Sequence, residues 1–207
     1  MPSASHTRLF GFAVLAAFSL LTAGCNWWDS PGGTLEARSD SSGSILEPVL
    51  PTAIYRNVDE QTVDVYMTDL PVGRLADPND NLAGLTGQLV QLHIFMIPEG
   101  GKTPQSPQAC TATVRHMVVA DGIIGVYGGG GFVDSSNFGE PTLTADIKNV
   151  SMRLVESMPG FADRLGTVQL TGTVTAGLNE RAARSLAGRV QELTFRLTPA
   201  AGPDQPK

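Results

Sequence analysis

Apolar and polar residues alternate with period two through much of this chain, and this pattern restricts the fold more than any other feature. In residues 167–176, Val168, Leu170, Val174 and Ala176 fall on one face, while threonine and glutamine fall on the other. Such alternation predicts a strand of an antiparallel sheet with one buried and one solvated face. The same pattern predicts strands at residues 63–67, 88–97 and 192–197.

Turn and bulge signals connect further strands. Residues 113–119 and 123–133 are separated by Ala120-Asp121-Gly122, and an Asp-Gly pair tolerates the positive φ of a tight hairpin turn. In residues 142–156 the apolar positions change from odd to even numbers, and a bulge at Lys148-Asn149 would keep them on one face. These segments are therefore predicted to add a hairpin and a bulged strand.

One short helix is predicted near residues 179–187. Asn179 is a favourable N-cap, Glu180 suits the positive end of the helix dipole, and Gly188 can end a helix in a left-handed conformation. About seven to eight strands, joined mostly by hairpin-length links, then predict an all-β fold, either an antiparallel β-sandwich or a barrel. The sequence leaves these two architectures open.

The first 24 residues have the parts of a secretory signal. Arg8 precedes an uncharged and largely apolar stretch, residues 9–24, which ends in small residues. This stretch is shorter than the roughly 20 residues that a membrane-spanning helix needs. We therefore expect a signal peptide at residues 1–24 and no mature transmembrane anchor.

The junction Leu21-Thr22-Ala23-Gly24-Cys25 resembles the lipobox of bacterial lipoproteins, and the resemblance covers residues 1–25 only. It implies cleavage before Cys25, attachment of acyl chains such as palmitate to that residue, and anchoring in a membrane of the bacterial cell envelope. Asn26, which follows the cysteine, favours the outer membrane over the inner membrane. The alternative is an ordinary secretory signal followed by an incidental cysteine.

Composition divides the rest of the chain. Residues 25–60 are rich in Ser, Gly, Pro and acidic residues, which predicts a flexible acidic tether behind the lipidated N-terminus. Residues 61–199 are predicted to form one β-rich domain, and residues 200–207, with two prolines, a disordered tail. The formal net charge of −6 leaves no basic field, so no nucleic-acid partner is expected.

Four consecutive glycines, residues 128–131, lie inside a strand pattern. Such a run is typical of a bulge or of a flexible sheet edge. The functional alternative is a flat groove beside Tyr127 and Phe132 where a peptide or a sugar could bind. An envelope protein or a glycan is accordingly the expected class of ligand, in addition to the membrane reached through Cys25.

Candidate metal ligands are few in the predicted domain. His93, Cys110 and His116 are the soft ligands, and the two histidines share a face if Ile97 pairs with Cys110, whereas a slip of one residue separates them. Residues 77–81 begin like a calcium loop but lack its glycine and its bidentate glutamate, so an Asx-rich turn is predicted. We expect no metal and no other cofactor, and we expect Cys110 to be a buried free thiol.

The chain contains no nucleophile elbow, no HExxH zinc motif, no CxxC pair and no phosphate-binding loop. No catalytic residue is therefore assigned, and we expect a lipid-anchored envelope protein with a single β-rich binding or structural domain. The alternative is an envelope hydrolase whose carboxylates meet only in the fold. The candidates for such a site are Asp64, Asp69, Asp134, Glu140 and Asp146.

Overall fold

The computed structural model describes residues 31–95 and 110–199. Within these two ranges the chain forms eleven strands and two helices. In chain order they are β1 (Gly32–Ser39), β2 (Ile45–Leu46), β3 (Val49–Leu50), β4 (Thr52–Asn57), β5 (Val63–Thr68), α1 (Val72–Leu75), β6 (Gly87–Ile94), β7 (Ala112–Ala120), β8 (Ile123–Ser136), β9 (Thr142–Ser157), β10 (Val168–Leu178), α2 (Glu180–Phe195) and β11 (Thr198–Pro199).

The strands form one mainly antiparallel sheet that closes on itself. From β4 to β9 each strand pairs with its neighbour in the sequence, and β9 pairs with both β8 and β10. The ring is completed by a short parallel pairing between β10 and β4, in which Gly177 lies opposite Ile54. Seven strands, β4 to β10, are thus joined in a ring, so the predicted all-β, mainly antiparallel fold is confirmed, with strand pairing closed as in a barrel.

The inside of this ring holds the larger hydrophobic core. Alternate residues of the ring strands point inward, and Tyr55, Leu92 and Val150 are completely buried there. Strands β1 and β3 add Leu35 and Leu50 to the same cluster. Because each large apolar side chain contributes about 1.5–3 kcal/mol when it is fully buried, this cluster is the main stabilising element of the fold.

A second core lies between the outside of the sheet and α2. Ala183, Leu186, Val190 and Leu193 recur at helical spacing on α2 and pack in a cluster that includes Tyr66 of β5. Every residue of β5 is buried as a result, since one face lies in the ring and the other under this second cluster. The helix therefore covers part of a surface that would otherwise be solvated.

The period-two predictions are confirmed over most of the ring. Strands β5 to β10 contain the predicted segments to within a few residues. At the predicted hairpin Asp121 and Gly122 have φ values of 52° and 80°, as a primed turn requires. The predicted bulge is also present, because the residues of β9 opposite Phe132 and Val133 are Asn149 and Ile147, which leaves Lys148 without a partner in that pairing.

The predicted tether is wrong over residues 32–57, which form β1 to β4. β1 pairs with β10 over its whole length, and β4 pairs with β5. These strands are short and separated by polar turns, so the composition of residues 25–60 resembles that of a linker. The folded domain consequently includes β1 to β4, from Gly32 onward, and does not begin at residue 61.

The C-terminal part of the predicted pattern is also corrected. The Asn179 side chain accepts a hydrogen bond from the Ala182 backbone N–H, which confirms the N-cap, but α2 continues through Gly188 to Phe195. Residues 192–197 are therefore not a strand. Leu193 is buried, whereas Phe195 is 90% exposed, so the inward alternation expected of a strand is absent. Helical burial every three to four residues replaces that alternation.

The predicted signal peptide at residues 1–24, the predicted lipidation site Cys25 and the predicted tail at residues 200–207 lie outside the described residues. Within the described ranges, no helix combines the length and the apolar character that crossing a membrane would require.

Candidate functional site

A polar groove of about 700 Å³ lies on the outer face of the sheet, across β6, β7, β8 and β9. We call it the glycine groove. Its polar walls are formed by Gln91, His93, Thr113, Arg115, Arg153 and Glu156, and Gly128 and Gly129 also line it.

Strand register arranges these side chains in two parallel rows. In the first row Gln91 lies opposite Arg115, Arg115 opposite Gly128, and Gly128 opposite Arg153. The second row lies two residues along the strands and contains Asp64, His93, Thr113 and Gly130 in register. Residues two apart on a strand point to the same face, so both rows lie on the outside of the ring.

Gly128 leaves a gap between two arginines. Neighbouring strands are about 4.8 Å apart, so the backbones of Arg115 and Arg153 are roughly 10 Å apart with no side chain between them. Both arginines are exposed. Within residues 31–95 and 110–199, neither guanidinium has an ion-pair partner. The floor of the groove thus separates two positive charges that have no ion-pair partner among the described residues.

The inward-facing glycines of the run are required for a different reason. A Cβ atom at Gly129 would lie 1.8 Å from the Ser151 carbonyl oxygen, and one at Gly131 would lie 2.0 Å from the Asn149 carbonyl oxygen. Only glycine allows the backbones of β8 and β9 to approach so closely. The run is paired on both sides, which corrects the expectation of a flexible edge.

A buried carboxylate fixes the position of His93. The Asp64 side chain is 4% exposed, and its Oδ1 lies 2.7 Å from His93 Nδ1. Its Oδ2 accepts hydrogen bonds from Arg56 Nε and Nη2 at 3.0 and 2.6 Å. The arginine supplies the charge compensation that a buried carboxylate needs, and the carboxylate holds the imidazole ring at the groove.

Tyr66 extends this network to the first row. Its hydroxyl donates to Asp64 Oδ2 at 3.4 Å and accepts a hydrogen bond from Gln91 Nε2 at 3.3 Å. Burial, and then the charge of Asp64, raise the pKa of the Tyr66 hydroxyl, so it remains protonated and available as a donor. Gln91 and His93 lie on the β6 side of the groove. Their positions are therefore fixed by hydrogen bonds to Tyr66 and Asp64, respectively.

Each wall of the groove contains a buried acceptor without a donor among the described residues. Glu156 Oε2 is buried and has no hydrogen-bond partner among the described residues, and the same holds for Gln91 Oε1. A buried acceptor without a donor costs about 1–3 kcal/mol, and more for a charged group. Donors that reach these side chains would remove that cost.

Comparison with protein-family models, with curated proteins and with solved structures yields no match for this chain. The functional argument consequently depends on the residues of the groove.

Tyr127 and Phe132, the residues expected to flank a groove, do not share a face. Tyr127 is buried in the inner core and donates a hydrogen bond to Asp163 Oδ1 at 2.7 Å. Phe132 is five positions further along β8, an odd separation, so it points to the other side of the sheet. The glycine run does form the floor of a groove, but its walls come from β6, β7 and β9.

The two histidines are also on opposite faces. Ile94 pairs with Ala112, which is one residue out of step with the register that would bring His93 and His116 together. No group of three or more potential metal ligands occurs among the described residues. The predicted Asx-rich turn is present, because the Asp77 side chain accepts a hydrogen bond from the Asn79 backbone N–H. Cys110 is free and half-buried, less buried than expected.

The five carboxylates of the hydrolase hypothesis are distributed over the molecule. Asp134 lies opposite Asp146, and Lys148 forms an ion pair with Asp134, so this pair is a partly neutralised surface cluster. Asp69, directly after β5, accepts a hydrogen bond from the Gln88 backbone N–H at the start of β6. Glu140 uses its backbone oxygen to accept a hydrogen bond from the Tyr55 hydroxyl. Asp64 alone is connected to the groove, through His93.

Sequence reasoning did not identify Gln91, Thr113, Arg115, Arg153 or Glu156. Each occupies an outward position of a strand, where polar residues are ordinary. Two arginines opposite the same glycine would have been a signal, but only the register reveals that they are opposite it.

Proposed function

We propose that this protein is a lipid-anchored component of the bacterial cell envelope whose β-rich domain binds an anionic ligand in the glycine groove. The observation that carries the proposal is the pair Arg115 and Arg153 on either side of Gly128, with no acidic partner on either among the described residues. The junction at Cys25 supports the lipid anchor.

The chemistry of the two arginines favours carboxylate or phosphate groups. A guanidinium presents its donors in a planar fork that matches the two oxygens of such a group, and the resulting charged hydrogen bonds are stronger than neutral ones. The protein is acidic overall, with a net charge of −6, so most of its surface repels anions. Two arginines on one face, without an ion-pair partner among the described residues, would attract anions locally.

Binding is favoured over two-carboxylate hydrolysis by the composition of the walls. Such hydrolysis needs a pair of acids facing one substrate. Among the described residues that line the groove, Glu156 is the single carboxylate, while Asp64 lies behind His93 and is held by Arg56. We therefore keep the hydrolase as the less supported alternative.

Thermal unfolding with citrate as the probe tests the anion site. A ligand that binds the folded state alone raises the melting temperature, so citrate should stabilise the native protein by a few degrees more than it stabilises Arg115→Gln or Arg153→Gln. Arg184→Gln on α2 is the matched control, because this arginine is 73% exposed and lies away from the groove. Equal citrate shifts in all four proteins would contradict the proposal, since general salt effects act on every variant alike.

A further inference from the structure

We infer that the ligand of the glycine groove is an acidic oligosaccharide, with a uronic-acid carboxylate between Arg115 and Arg153. This inference rests on the proposed anion site and specifies its ligand. The remaining polar groups of the groove carry it, because a simple anion would leave them unused.

The groove is longer than a single carboxylate requires. Glu156 lies opposite Val126, whereas Thr113 lies opposite Gly130, so these two positions are four residues apart along β8. We call the polar side chains between these two positions the polar strip. At about 3.3 Å per residue it is roughly 13 Å long, and the two arginines lie in its middle. A volume of about 700 Å³ likewise accommodates several linked rings and not one small ion.

The ends of this strip require ligand groups that both donate and accept hydrogen bonds. At one end Glu156 has a buried carboxylate oxygen without a donor among the described residues. At the other end Thr113 carries an exposed hydroxyl, and His93 is positioned by Asp64. Sugar hydroxyls donate and accept with equal ease, so one chain of sugar units with a central carboxylate satisfies all three positions.

A peptide fits these walls less well. A bound peptide usually adds a strand to a free sheet edge and inserts side chains into apolar pockets. Strands β7 and β8 are paired on both sides along the groove. The far side of β9 is paired with β10 up to Met152 and with β11 from Glu156, so at most three residues of its edge, 153–155, are free there. Val155 is the apolar side chain that its described lining residues present, since the Val114 side chain is buried in the inner core.

Calorimetric titration of the full-length protein in detergent tests this inference with five probes: two uronic-acid trisaccharides, citrate, the neutral trisaccharide maltotriose and triglutamate. Trigalacturonic acid and trimannuronic acid should bind at least tenfold more tightly than citrate and than the neutral trisaccharide maltotriose. Arg115→Gln and Arg153→Gln should each weaken the uronic acids at least tenfold, and Arg184→Gln should leave them unchanged. Glu156→Ala and, as a milder change, Thr113→Val should weaken the uronic acids at least threefold while citrate binding stays the same.

The outcomes separate this inference from the proposed function. If citrate binds as tightly as both uronic acids, and Glu156→Ala and Thr113→Val have no effect, the saccharide assignment is wrong but the anion site stands. Tighter binding of triglutamate than of either uronic acid would replace the saccharide by an acidic peptide. If no acidic probe responds to the two arginine substitutions, both the saccharide and the anion site are wrong.

Discussion

Two histidines in neighbouring strands differ in burial because they lie on opposite faces of the sheet. The His93 side chain is 40% exposed at the groove and forms a hydrogen bond with Asp64. His116 points into the ring, where its Nε2 lies 2.6 Å from Gln88 Oε1 and its Nδ1 has no partner among the described residues. Burial lowers the pKa of His116 to about 4, so the folded protein holds this imidazole in its neutral form.

The lowered pKa of His116 predicts a loss of stability in mild acid. The unfolded chain takes up a proton near pH 6.5, but the folded chain does so only near pH 4. Stability therefore falls as the pH decreases through this window, by about 3 kcal/mol in total at roughly 1.4 kcal/mol per pH unit. Urea unfolding of the native protein and of His116→Gln between pH 7 and pH 4 measures the difference.

Both proteins contain the same carboxylates, so the native protein and His116→Gln differ in this comparison at residue 116 alone. If the free energies of unfolding of the native protein and of His116→Gln run parallel over the whole range, the imidazole is not excluded from protonation in the fold.

At the scale of the element, β8 uses its glycines for two purposes. Those that face inward, Gly129 and Gly131, permit close approach to the backbone of β9. Gly128 faces outward, where an added Cβ would lie 3.0 Å from a methyl group of Val155, a side chain that can move. The first purpose concerns stability and the second concerns the shape of the groove.

Substitutions at adjacent glycines should therefore separate folding from binding. Gly129→Ala places its Cβ against backbone that cannot move aside, and we expect a loss of about 3 kcal/mol or more in the free energy of unfolding. Gly128→Leu should remain within about 1 kcal/mol of the native protein while it fills the groove and abolishes the citrate shift. Urea unfolding and thermal shifts on both variants measure these effects, and similar stabilities would disprove the close approach.

For the whole molecule, closure of the sheet depends on its first strands. β4 lies between β5 and β10, and β1 pairs with β10 along eight residues. Without β4 the ring would be open, and the inward faces of β5 and β10 would be exposed at unpaired edges.

A chain that begins at Gln61 should consequently fail to fold cooperatively, whereas one that begins at Ser30 should unfold in a single transition. Thermal unfolding followed by circular dichroism compares the two chains. A sharp transition of the shorter chain at the temperature of the longer one would show that the fold does not need β1 to β4.

The proposed anchor is tested on the whole protein by Cys25→Ser. One acyl chain holds a protein only marginally at a membrane, while two or more hold it stably, so removal of the acylated thiol should move the protein to the soluble fraction. Fractionation of cells that express the native protein and the variant measures this. Firm retention of Cys25→Ser in the membrane fraction would refute lipid anchoring through this residue.

The sequence by itself determined the local character of the chain. Alternation in residues 167–176, the Asp121-Gly122 turn, the bulge at Lys148 and the Asn179 cap depend on neighbouring residues, and all four are present in the structure. Such features are readable because period, φ and capping are properties of short segments.

Tertiary structure alone decided the rest. The length of α2 and the strands β1 to β4 follow from surfaces that lie far away in the sequence, the outer cluster and the edge of β10. The groove exists because register sets Arg115 and Arg153 opposite Gly128, and a slip of one residue on either strand would send an arginine into the core. Register is determined by packing of the whole ring, so it could not be read from any one segment.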